Sequence, residues 1–189
     1  MDKAKIGFLA AVTLIVIHLV VMPVMAEQAY LSDIVVTNNR DNLLVYFTVN
    51  NCFTADMNRA IESGLDTTFT FFVDLYERRD FWWDRKIKSI ELGHSIKYDR
   101  LKRTYEVRLS ENNDEIMRVK DFDKAKRLMS EVVSLKVIPI HELEKGGRYQ
   151  LQLMAQLNKI KLPLYLHYVF FFLSLWDFKT DWYKVNFRY

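Results

Sequence analysis

Cysteine, glycine and proline are all scarce in this chain, and each shortage closes off a class of protein. Cys52 is the single cysteine among 189 residues, so no internal disulfide can form and packing alone must hold the fold. Burial, intermolecular pairing and a free thiol are the three fates open to it. Burial is the expectation, because an unpaired cysteine packs as a small hydrophobe. With 5 glycines and 3 prolines, the chain has neither a Gly-rich phosphate loop nor a low-complexity region. A formal charge of +3 is too weak to argue for nucleic acid as a partner.

Catalytic signatures are equally thin. No Gly-x-Ser-x-Gly elbow occurs, and Cys52 has no histidine near it in sequence. His141-Glu142 with Glu144 lacks the second histidine that a helical zinc site places four residues on. His94 falls on the apolar side of a strand pattern and His167 lies inside an aromatic run, so both read as packed side chains. Asp80 and Asp84 are a conceivable carboxylate pair for a hydrolase, but Arg78, Arg79 and Arg85 stand beside them to hold both ionised. The expectation is a protein that is not an enzyme and has no catalytic residue, metal or cofactor.

What is present begins at the first residue. The stretch MDKAKIGFLAAVTLIVIHLVVMPVMA sets Lys3 and Lys5 before an apolar run from Ile6 to Val21 and ends on Val24-Met25-Ala26. That is the pattern of an export signal over residues 1–26. The run from Ile6 to Ala26, interrupted only by His18 and Pro23, is also long enough to remain as an uncleaved membrane anchor. Either way, residues 27–189 are expected as one domain on the outer side of the inner membrane, in the periplasm.

Beyond Ala26 strict alternation dominates, the mark of half-buried antiparallel strands. Strands are expected around Ile34 and Val36, and at Leu43, Val45, Phe47 and Val49 after the turn-like Asn38–Asn42. Others follow at Phe69–Leu75, Ile90–Tyr98, Tyr105–Leu109, Tyr149–Leu157 and Tyr183–Tyr189. Two segments keep helical spacing instead. Thr54 caps one that carries Met57, Ala60 and Ile61 and stops at Gly64. Asp121 caps another through Phe122, Ala125, Leu128, Met129, Val132 and Val133. The fold class is mainly β: an immunoglobulin-like antiparallel β-sandwich of about seven strands with two or three inserted helices. The alternation to the last residue also fits the closing strand of an outer-membrane barrel, although Thr, Gln and Arg on the second strand faces argue against that.

Two clusters stand out as interaction surfaces. The first is Glu77-Arg78-Arg79-Asp80-Phe81-Trp82-Trp83-Asp84-Arg85, between two strands. If the strand runs into it, adjacent tryptophans point to opposite faces, one into the core and one into water. It reads either as a recognition patch of Arg78, Arg79, Trp82, Trp83 and Arg85, or as a strand-edge ladder that tidies its own charges and plugs one end of the sandwich. The second is Leu162–Trp176, LPLYLHYVFFFLSLW, uncharged and too short to span a bilayer. Tyr165, Tyr168, Phe171, Trp176 and Trp182, with lysines at the flanks, suit a membrane-surface or partner-docking helix. A helix buried against a sheet is the other reading.

The Thr68–Tyr76 strand, the Arg79-x-x-Trp82-Trp83-Asp84 connector and Tyr98-Asp99-x-Leu101-x-x-x-Tyr105 carry a resemblance, as do Leu162-Pro163-Leu164 and the aromatic tail after Trp176. With these, nearly all of the chain beyond the leader resembles an uncharacterised bacterial family of exported proteins, known as domain of unknown function 4390. The resemblance implies a Gram-negative envelope protein, in a family sometimes encoded near sensor kinases of the nitrogen-regulation type. It implies no activity and no site residues. The reading that results is a non-enzymatic envelope protein, a binding, accessory or sensory module. Its expected partner is an envelope protein such as a sensor kinase, or a membrane surface, and no nucleic acid. The alternatives are a membrane-docked structural protein using residues 162–176 and an unrecognised hydrolase.

Overall fold

A computed structural model describes residues 28–157 and 179–189. Among them run nine strands: β1 (Tyr30–Asn38), β2 (Asn42–Asn50), β3 (Thr67–Glu77), β4 (Arg85–Asp99), β5 (Thr104–Leu109), β6 (Ile116–Val119), β7 (Glu131–Pro139), β8 (Arg148–Leu157) and β9 (Tyr183–Arg188). Two helices are inserted, α1 (Ala55–Glu62) and α2 (Phe122–Ser130). The strands form a three-stranded sheet in the order β1-β2-β7 and a six-stranded sheet in the order β6-β5-β4-β3-β8-β9. Every pairing is antiparallel.

The alternation explains how the sheets meet. Phe69, Phe71, Val73 and Leu75 leave one face of β3, and Leu151, Leu153, Ala155 and Leu157 leave the same face of β8; all are buried. Val45, Phe47 and Val49 of β2 are buried opposite them. Phe47 meets Phe71 edge-on across the gap, with ring centroids 5.7 Å apart at 66°, a geometry that suits the aromatic quadrupole. The result is a β-sandwich whose core is shared by both layers. Cys52 belongs to that core: it is buried, its Sγ donates to the Val49 carbonyl at 3.3 Å, and burial pushes its pKa up to about 12. A thiol so far from ionisation packs and does not react.

Both helices begin where their capping residues stand. The Thr54 hydroxyl accepts from the Met57 N–H at 3.2 Å, and the Asp121 carboxylate accepts from the Lys124 N–H at 2.6 Å. α1 stops at Gly64, whose φ of +85° closes the last turn at no steric cost. α1 buries Met57, Ala60 and Ile61; α2 buries Ala125, Met129 and Ser130.

The second helix departs from its expected extent. Val132 and Val133 continue its spacing in sequence, yet they lie in β7, which starts as soon as α2 ends at Ser130. Glu131 is already extended, at φ −104° and ψ 129°, and β-branched valines favour the pleated state. β7 pairs with β2, and β6 adds a short edge to the large sheet, bringing the strands to nine among the described residues. Among the described residues β9 is the last strand in the order of the large sheet and pairs with β8 alone, so it closes no barrel there. Among the described residues no helix is long and apolar enough to cross a membrane. Tyr165, Tyr168, Phe171 and Trp176 of the second expected surface lie outside the described residues.

Candidate functional site

The connector 78–84 leaves the large sheet where β3 ends and β4 begins. Its base is tied to β8, since Glu77 pairs with both Arg85 of β4 and Tyr149 of β8 and the Arg78 N–H donates to the Arg148 carbonyl at 2.8 Å. The loop is then folded back on itself by charge. Arg78 Nε lies 3.2 Å from Asp84 Oδ2, while Asp84 Oδ1 accepts from the Arg79 N–H at 3.3 Å. Glu77 Oε2 receives both Arg85, at 2.8 Å, and Arg79, at 3.3 Å. Asp80 pairs with Arg148, whose hydrogen bond and charge hold the Asp80 carboxyl below the usual carboxylate range.

This frame leaves the aromatic residues between its charges in water. Phe81, Trp82 and Trp83 are 93%, 77% and 92% exposed, and none belongs to the packed core. The expectation that one tryptophan enters the core is therefore corrected. Residues 78–84 lie outside both strands, so the two-faced alternation of a strand does not govern Trp82 and Trp83. The strand-edge reading holds for the charges, since Arg78, Arg79 and Arg85 pair with Asp84 and Glu77 of the same segment, but not for the plug, since the three rings lie outside the core. Arg78, Arg79 and Arg85 surround the aromatics as the sequence places them, but Arg148, nearly seventy positions further on, carries no local sequence signal. Only the β3–β8 register brings it to Asp80.

Beside the base of the loop is an open cleft of about 470 Å³ lined in part by Glu77, Arg85, Lys86, Glu142, Glu144 and Tyr149. Its walls are charged, and the Tyr149 hydroxyl accepts from the Glu144 N–H at 2.8 Å. Asp80, Asp84 and His141 do not line it. Each aspartate is instead engaged by its own arginine. Among the described residues there is no cluster of three or more His, Cys, Asp or Glu side chains suited to a metal ion.

Two other residues singled out in the sequence have definite places. His94 is fully buried in β4, its Nδ1 3.1 Å from the Met129 carbonyl and its Nε2 2.8 Å from Glu111 Oε1. It clasps α2 and the 3-10 turn at Ser110–Asn112 to the large sheet. Trp182 is 39% exposed just before β9. β9 runs antiparallel to β8, so Tyr183 pairs with Leu153 while Arg188 pairs with Arg148 at the base of the loop. Trp182 and the Trp82–Trp83 pair thus stand toward opposite ends of β9 and form no common patch.

Residues 26–186 match the model of a family described as Domain of unknown function (DUF4390). No curated protein and no solved structure matches the chain.

Proposed function

The chain belongs to that family, whose description carries no activity, and from its own surface we propose that it is a non-enzymatic binding module of the cell envelope. Its contact surface is the hairpin tip Phe81–Trp83, with Arg78, Arg79 and Arg85 at the base. The observation that carries this reading is the exposure of all three aromatics, 93%, 77% and 92%. Contiguous large aromatics in water mark interaction sites, and Trp and Arg are the residue types that anchor them. The ion pairs that brace the loop support the same reading, because they hold the tip in one shape before any partner arrives. The leader at residues 1–26 supports export to the compartment where an envelope partner would be met.

The test is site-specific photocrosslinking in intact cells. A photoreactive residue at position 83 is expected to capture one envelope component, whereas the same residue at Leu101, itself 97% exposed on the β4–β5 turn, captures none. Equal background capture at both positions would overturn the reading.

A further inference from the structure

We propose that the hairpin tip is a bilayer-inserting finger, with Phe81, Trp82 and Trp83 entering the boundary between headgroups and acyl chains of an anionic membrane surface. This inference rests on the binding-module reading and names its partner. Three features of the tip select a bilayer over a protein. The first is shape. The aromatics are consecutive and more than three-quarters exposed, on a turn outside both strands; the neighbouring cleft is walled chiefly by the charged Glu77, Arg85, Lys86, Glu142 and Glu144, with Ile87, Ile138 and Tyr149 among them.

The second feature is layering. Immediately behind the aromatics comes a collar in which four arginines, Arg78, Arg79, Arg85 and Arg148, face three carboxylates, Glu77, Asp80 and Asp84. The core of a protein interface is depleted of Asp and Glu, and a partner protein gripping this tip would bury Glu77, Asp80 and Asp84 of that collar next to the rings. A bilayer needs no such burial. Aromatic side chains settle at its interface, where rings meet the upper acyl region and charged groups stay in the wet headgroup layer.

The third feature is the chemistry of the collar. Its basic residues are arginines, whose planar forks match phosphate oxygens two at a time. Each pair engages one guanidinium nitrogen, on side chains that keep 41–55% of their surface exposed. On contact the remaining guanidinium N–H groups take lipid phosphate, while the ion pairs and the Arg78–Arg148 backbone bond keep the loop's fold. Asp80 and Asp84, the carboxylates that flank the rings in sequence, arrive already paired with Arg148 and Arg78.

The experiment uses the full chain carrying Trp176→Phe and Trp182→Phe, so that Trp82 and Trp83 are the only tryptophans left of 4. It is mixed with phosphatidylglycerol vesicles, with and without brominated acyl chains. The expected result is a blue-shifted emission, quenching stronger with bromines near the headgroups than near the chain ends, and a several-fold loss of quenching by aqueous iodide. Emission and iodide access unchanged by vesicles would overturn the inference. If crosslinks from position 83 then run to a protein, the binding-module reading survives without the bilayer; if they run to nothing, both fall.

Discussion

His94 and Glu111 show how far a single partly buried pair reaches. Both ring nitrogens of His94 face oxygen atoms, the Met129 carbonyl and the Glu111 carboxylate. Glu111 is pulled upward by its own burial, but the His94 hydrogen bond and charge, with a backbone hydrogen bond, outweigh that and leave its pKa below the ordinary value. A carboxylate lowered in the folded state contributes stability above its unfolded pKa and loses it as pH falls. Glu111→Gln is therefore expected to cost about 1.5 kcal/mol at neutral pH, and the gap to the parent should close as the pH drops through roughly 4. Denaturant titrations at several pH values measure this; a gap constant with pH would contradict it. His94 could be placed on an apolar strand face from its spacing alone. Glu111 could not, because the 3-10 turn that carries it is set by tertiary contact.

Elements with one clean period were legible and those with two were not. β1 to β5, β8 and β9 alternate, and Thr54 and Asp121 mark the helix starts. β7 hid because its period breaks. Between the pairs Val45–Leu135 and Phe47–Val132, β7 advances one residue more than β2, and Ser134 sits in that bulge with φ +59°. Burial along the strand then loses strict alternation, leaving Val133 exposed between buried Val132 and Leu135, and the valines read as another helical turn. A β-branched side chain is strained at such a φ. Ser134→Val should cost about 1–2 kcal/mol, while Ser134→Gly should be neutral or stabilising. Equal unfolding midpoints for the two variants would show that the bulge does not form.

At the scale of the whole molecule, the core and the tip divide the aromatic residues by task. Phe47, Phe69 and Phe71 are fully or almost fully buried between the sheets, and with Cys52 unpaired they and their neighbours hold the sandwich by packing. Phe81, Trp82 and Trp83 contribute nothing to that core. The sequence shows the composition of the tip but not its exposure, since exposure depends on where β3 and β4 stop pairing and on Arg148 arriving from β8. The most direct measurement is the unfolding free energy of the triple variant Phe81→Ser, Trp82→Ser, Trp83→Ser beside the parent, by chemical denaturation. Surface changes away from packed contacts fall within about 0.5 kcal/mol each, so the variant should unfold within roughly 1.5 kcal/mol of the parent, with the same cooperativity. A loss on the order of the 3–5 kcal/mol that truncating one core aromatic brings would mean the tip belongs to the fold, and the account of it as a contact surface would fail.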